Sequence, residues 1–199
     1  MWNGTGSEIE ILWIRHGMTK ANEEHRYLGT TDEALSTKGK DALLLQWKTR
    51  RDLLSSVDKI YCSPMKRCVE TRQLLFPERQ DAVIIPQWTE MDFGRFEYKN
   101  YKELNGDPDY QAWIDSGGTL AFPEGESRDE FIRRSMEGWN CVMEDLKAGQ
   151  EVGHHRKKIC CIVHGGTIMA VLSTLLGGAY YDYQIGNGEM KKMKWSSNT

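Results

Sequence analysis

The feature that most constrains this chain is an apolar run, Ile11-Leu12-Trp13-Ile14, that stops abruptly in Arg15-His16-Gly17. Apolar and branched residues at this density predict a strand buried on both faces, and the glycine lets the backbone turn as the strand ends. Such a strand belongs in an open α/β sheet, where ligands bind beyond the carboxyl ends of the strands. The cation and the imidazole therefore stand where chemistry is expected. A second run repeats the pattern: Ile159-Cys160-Cys161-Ile162-Val163 ends in His164-Gly165-Gly166, and an apolar helix is expected from 168 to 176. The free N–H groups and positive dipole end of a helix start favour a bound anion at that junction.

At 199 residues and 39% hydrophobic, the chain is long enough to bury one sizeable core, and a single domain over 1–199 is expected. A net charge of −3 is not that of a general nucleic-acid binder, although it leaves room for a local basic pocket holding a small anion. No apolar run approaches the length of a membrane span, and the N-terminus lacks a signal peptide's basic region and hydrophobic stretch, so a cytoplasmic location is expected. The five cysteines are odd in number and no pair has zinc-site spacing, which predicts reduced, mostly buried thiols. Adjacent His154-His155 read as part of a solvated loop rather than a metal site.

Between the two centrepieces the chain supplies the rest of a layered fold. Residues 1–8 read as a frayed leader, and Thr19 and Asn22 can bond back toward the first strand's tip, although ordinary turn chemistry also accounts for Asn22. One helix is expected from 37 to about 54, with Ala42, Leu43, Leu45, Trp47 and Leu53 supplying much of its apolar material. A strand over 57–62 closes at Ser63-Pro64, and a helix over 65–75 carries Arg67 in its first turn, able to face the same crevice, with Arg72 further on. A short strand over 83–86 leads into a loop of acids and aromatics, Glu90-Met91-Asp92-Phe93-Gly94. The stretch 98–116 predicts two short helices parted by Asn105-Gly106-Asp107-Pro108, and 98–125 reads as a lid. Ser127 and Glu130 form a capping box opening a helix from 128 to about 146, with Phe131, Ile132, Ser135, Met136, Trp139 and Val142 as its core face, and 189–195 reads as an edge strand.

Leu12 through Asn22, Ser63-Pro64 with Arg67 and Glu70-Thr71, Glu90 through Gly94, Gly125-Glu126-Ser127 and His164-Gly165-Gly166 resemble the successive motifs of the histidine phosphatase superfamily, the phosphoglycerate mutase-like family, in the family's order. Within it, Tyr27-Leu28-Gly29, Leu35-Ser36 and Gly39 are most similar to the small phosphatases related to alpha-ribazole phosphatase. The resemblance implies a three-layer α/β/α sandwich with a mostly parallel central sheet. It implies that His16 attacks phosphorus and becomes a phosphohistidine, that Arg15, Arg67 and His164 grip the phosphoryl oxygens, and that Glu90 protonates the leaving alcohol and then helps activate water. Asn22 and Gly165 fall at phosphate-binding positions. No metal or other cofactor is implied, since arginines can supply the charge stabilisation that phosphoryl transfer needs.

The expected substrate is a small phosphorylated metabolite, with alpha-ribazole phosphate a candidate. Tyr98, where relatives often carry glycine, is expected to narrow or reshape the pocket. The family's mutases usually carry a longer insertion ahead of the acid and a shielding tail. Neither is clear here, so hydrolysis is favoured over a phosphoglycerate mutase, and the intact set of site residues favours an enzyme over a non-catalytic binder of phosphorylated ligands.

Overall fold

The computed structural model describes residues 8–151, 153 and 157–196; the expected leader up to residue 7 and the His154-His155 pair lie outside the described residues. Five strands, β1 (Ile9–Arg15), β2 (Lys59–Cys62), β3 (Val83–Ile84), β4 (Lys158–Val163) and β5 (Met190–Trp195), form one sheet in the order β3-β2-β4-β1-β5. All neighbours are parallel except β5, which runs antiparallel along the β1 edge. Seven α-helices accompany them among the described residues: α1 (Lys20–Glu23), α2 (Thr37–Trp47), α3 (Arg51–Ser55), α4 (Lys66–Leu75), α5 (Pro108–Asp115), α6 (Arg128–Glu151) and α7 (Gly165–Leu176).

Strand alternation builds the layers. Ile11 and Trp13 of β1, with Ile159, Cys161 and Val163 of β4, pack against Trp139, Val142 and Leu146 of α6 and Ile168, Val171 and Leu172 of α7. Their neighbours Leu12, Ile14, Cys160 and Ile162 face the other way, onto Leu43 and Trp47 of α2, Leu54 of α3 and Cys68 and Leu75 of α4. The sheet is thus enclosed on both faces, which explains why β1 and β4 read as continuous apolar runs. Trp13 anchors one layer, its ring 5.7 Å from that of Trp88 and 5.8 Å from that of Trp139.

Several expected elements have different bounds. The single helix over 37–54 is two, because Leu43 and Trp47 complete the buried stripe of α2 and the chain must turn to bring Leu54 into the same cluster. Of the apolar residues assigned to it, Ala42 is exposed, Leu53 half-buried and Leu45 74% exposed. The stretch 98–116 holds one helix rather than two: α5 starts at Pro108 behind an Asp107 cap, whereas the Asn100 side chain accepts from the N–H groups of Lys102 and Glu103 and holds the preceding segment in turns. β2 and β3 are shorter than read, with Pro86 diverting the chain into a 3-10 turn over Pro86–Trp88. α6 continues to Glu151, and α7 begins at Gly165, so both glycines after His164 lie in its first turn.

The tip of β1 is held from three sides. Gly188 N–H donates to the carbonyls of Arg15 (3.1 Å) and His16 (3.0 Å), and Trp47 Nε1 donates to Gly188 O at 2.8 Å. Gly39 lies in the first turn of α2, where a Cβ would stand 2.0 Å from Met18 O; only glycine lets this helix lie against the loop that follows His16. No helix among the described residues is long and apolar enough to cross a membrane.

Candidate active site

The ends of three adjacent parallel strands deliver the first side chains: His16 follows β1, His164 follows β4 and Ser63 follows β2. Arg67 enters from the first turn of α4 and Glu90 from the loop beyond β3. His16, Arg67, Glu90 and His164 are all buried, and the two imidazoles meet edge to face with centroids 5.2 Å apart.

The hydrogen bonds fix both tautomers. His16 Nδ1 lies 2.7 Å from Gly17 O, and a carbonyl can only accept, so Nδ1 carries the proton and Nε2 keeps a free lone pair. At His164, Nδ1 accepts from Arg67 Nε at 3.2 Å, so Nε2 is the protonated nitrogen, 2.7 Å from Ser63 Oγ. Burial, followed by the charges of Arg67 and Arg15, holds His16 well below the usual histidine range; burial and Arg67 do the same to His164. Both rings are therefore neutral at neutral pH.

Arg67 is oriented by Gly29 O (Nη2, 2.8 Å), Thr31 O (Nη1, 2.9 Å) and the His164 ring. Arg15 Nη1 donates to Ile185 O at 2.7 Å, while its Nε is buried with no hydrogen-bond partner among the described residues, an N–H that an anion beside it would satisfy. Glu90 is pushed above the ordinary carboxyl range by burial, against the opposing pull of Met91 N–H, Arg67 and Arg15. Its Oε1 accepts from Met91 N at 2.9 Å and its Oε2 faces Gly166 N at 3.5 Å. The glycines at the start of α7 are there for room: a Cβ on Gly165 would stand 3.2 Å from Arg15 Nε, and one on Gly166 2.4 Å from Glu90 Oε1.

The other site expectations resolve less directly. Asn22 completes the capping box of α1 with the cap residue Thr19, its Oδ1 accepting from Thr19 N (3.2 Å) and from Asn187 Nδ2 (3.1 Å), and Asn187 also donates to His16 O at 3.3 Å. Tyr98 does not narrow the pocket: at φ 61° its hydroxyl turns outward to donate to Glu33 at 2.9 Å, and Arg26 lies over its ring. Ser63, Thr71, Asn187 and Arg134 had no role assigned from the sequence. Thr71 Oγ1 accepts from Gly17 N and donates to Arg67 O, tying the two sides of the site together. Arg134 donates to the carbonyls of Gln87, Thr89 and Glu90 and pairs with Glu126, clamping the loop that carries the acid. The signals for Ser63 and Thr71 were their places in the Ser63-Pro64 and Glu70-Thr71 motifs; nothing local marks Asn187 and Arg134, whose partners are mostly distant in sequence.

Beside Arg15, Glu90 and Gly166 opens a cavity of about 290 Å³ walled by six aromatic side chains, Tyr27, Phe93, Trp113, Phe122, Tyr180 and Tyr181. Tyr27 packs against Phe93, Tyr110, Trp113 and Phe122, so the 98–125 segment and the acid loop share one aromatic cluster. An electropositive, water-poor floor holding a neutral imidazole thus adjoins an apolar chamber.

The family model of the histidine phosphatase superfamily (branch 1) matches residues 11–199. The chain belongs to this superfamily. It is similar to an adenosylcobalamin/alpha-ribazole phosphatase of Escherichia coli strain K12, with 29% identity over 172 residues covering 83% of this chain and 79% of that protein. The corresponding protein of Salmonella typhimurium is 32% identical over 129 residues, 62% of each chain. Among solved structures, the alpha-ribazole phosphatase from Shigella flexneri superimposes with a TM-score of 0.71 at 23% identity, covering 92% of this chain and 89% of that one. This histidine phosphatase therefore has the phosphoglycerate mutase-like fold, and its two histidine-bearing strand ends lie side by side within it.

Proposed function

We propose that this chain hydrolyses phosphate monoesters whose leaving alcohol carries an aromatic body, through a phosphohistidine on His16. His16 Nε2 attacks phosphorus, the bond to the ester oxygen breaks, and protonated Glu90 gives its proton to the departing alcohol. Water then attacks the phosphohistidine, passing a proton to the Glu90 carboxylate as the P–N bond breaks and inorganic phosphate leaves. Arg15 and Arg67 hold the phosphoryl oxygens throughout. His164, with both ring nitrogens engaged, aims Arg67 and lines the phosphoryl site beside Gly165, and Asn22 fixes the loop after the nucleophile.

The observation that carries this reading is the His16 Nδ1 to Gly17 O bond, which leaves Nε2 unprotonated between two guanidinium groups. A cation at that nitrogen could not attack; the neighbouring charges both favour the nucleophilic form and stabilise the anionic transition state. The aromatic chamber supports a bulky planar alcohol over the small acid released from a phosphoglycerate. We take 98–125 as the lid of that chamber, within a single domain.

The alpha-ribazole phosphatases to which the chain is similar make alpha-ribazole phosphate the first compound to try. The test is release of inorganic phosphate, with EDTA present throughout, from alpha-ribazole phosphate, phenyl phosphate and 3-phosphoglycerate. The aromatic esters are expected to turn over with the higher kcat/KM. Isomerisation of 3-phosphoglycerate as the dominant reaction, or a requirement for added metal, would overturn the proposal.

A further inference from the structure

The chamber has a second cation that the phosphoryl chemistry does not use. Arg128, the first residue of α6, lines the same cavity as Arg15 and Glu90. Its guanidinium carbon lies over the Tyr180 ring, 5.8 Å from the centroid, and the Tyr180 hydroxyl donates to Gly166 O at 3.4 Å. One aromatic ring therefore separates Arg128 from the turn that borders Glu90.

Among the described residues Arg128 makes no hydrogen bond or ion pair. Arg26 pairs with Glu24 and Glu103, Arg79 with Asp81, Arg95 with Asp107 and Asp109, and Arg134 with Glu126, whereas Arg50, Arg51 and Arg133, whose side chains like that of Arg128 make no hydrogen bond or ion pair among the described residues, lie outside the chamber. Arg128 also stands where the helix dipole disfavours a cation, in contrast to Asp129 and Glu130 beside it. It is thus a half-buried cation inside the chamber, placed against the dipole and with no counterion among the described residues. The apolar walls around it would strengthen its attraction for an anion.

We propose that Arg128 is an anion anchor for the leaving group, so that the favoured substrates are aromatic phosphate monoesters bearing an acidic substituent such as a carboxylate. This rests on reading the chamber as the leaving-group site. Within that class, an ester with an acid on its aromatic body is expected to outperform a neutral one, alpha-ribazole phosphate included.

The test compares kcat/KM for phenyl phosphate, 3-carboxyphenyl phosphate and 3-carbamoylphenyl phosphate in the wild type, Arg128→Leu and Arg128→Lys. The carbamoyl compound matches the carboxylate in shape without its charge. The carboxyl to carbamoyl ratio is expected to fall about tenfold or more from wild type to Arg128→Leu, the size of one charge-assisted hydrogen bond, with the change mainly in KM and part of the ratio kept by Arg128→Lys. Comparing ratios between variants cancels the electronic difference between the two leaving groups. A ratio that is the same in wild type and Arg128→Leu would overturn the proposal. Should the leucine variant fail to fold, Arg128→Gln carries the same comparison. If the wild type does not hydrolyse phenyl phosphate at all, the chamber reading fails; if it hydrolyses all three and the ratio ignores residue 128, only the role of Arg128 fails.

Discussion

At the residue scale the site divides labour between a nucleophile, an acid and two cations, and substitutions should separate them. If Glu90 protonates the leaving oxygen, Glu90→Gln should slow alkyl phosphates by roughly a hundred to ten thousandfold while aryl phosphates, whose phenolate departs unaided, lose far less. Arg67→Ala should slow both by a similar factor, on the order of a hundredfold, because it removes charge stabilisation from the phosphoryl group itself. Equal losses on the two substrates for Glu90→Gln would reassign the acid. The pH profile follows from the same groups. His16 must be neutral and its pKa is depressed, so kcat should hold down to pH values below the ordinary histidine range near 6.5. Glu90 must be protonated and its pKa is raised, so kcat on an alkyl phosphate should fall only as pH rises past that elevated value, and this alkaline limb should vanish in Glu90→Gln. Arg15, His16 and His164 could be picked out in the sequence because they end apolar strand runs, and Arg67 because it opens a helix after Ser63-Pro64, whereas Glu90 was marked only by the family motif. Asn187 and Arg134 were not marked, since their partners lie at distances along the chain that no local pattern encodes.

At the scale of elements, the site depends on α7 lying close to the acid loop. Gly166→Ala places a methyl 2.4 Å from Glu90 Oε1 and 3.0 Å from the Phe131 ring, and the helix cannot retreat from a sheet it packs against through Ile168, Val171 and Leu172. Displacement of Glu90 by a fraction of an ångström to an ångström should reduce kcat on an alkyl phosphate by about a hundredfold, at a stability cost of about 1–3 kcal/mol. An unchanged kcat, with folding verified by circular dichroism, would show that the acid tolerates more freedom than the packing suggests. The sequence marked where elements lie better than where they end. The break between α2 and α3 escaped it because the polar run Lys48-Thr49-Arg50-Arg51-Asp52 holds no glycine or proline to mark a turn, and only the sheet decides that Leu43, Trp47 and Leu54 go inside while Leu45 stays in water. The missing helix before Pro108 escaped it because the segment that the Asn100 side chain caps ends within a turn, at Gly106 with φ 85°, before a helix can extend.

At the scale of the whole molecule, burying two neutral histidines links folding to pH. The unfolded chain protonates His16 and His164 near 6.5, whereas the folded protein resists protonation until well below it. Their contribution to stability is therefore complete above about pH 6.5 and is lost as pH falls from there toward their depressed folded values. Glu90, whose pKa is raised, acts in the opposite sense: its contribution is present at low pH and is lost as pH rises through its elevated value. With two histidines against one carboxyl, Tm is expected to drop between pH 7 and pH 5, and the drop should be shallower in His164→Gln; an identical slope would show that His164 does not contribute to the pH dependence.

The three-layer architecture could be read from β1 and β4 alone, since apolar runs without alternation must be covered on both faces. The aromatic chamber could not, because Tyr27, Phe93, Trp113, Phe122 and Tyr180 come from five separate segments. The central claim is that phosphate passes through His16, and the most direct measurement is rapid quench with ³²P-labelled phenyl phosphate followed by mapping of the labelled peptide. An acid-labile, base-stable phosphoenzyme is expected on the peptide containing His16, absent from His16→Ala. Label on a serine, or none with fast sampling at saturating substrate, would contradict it.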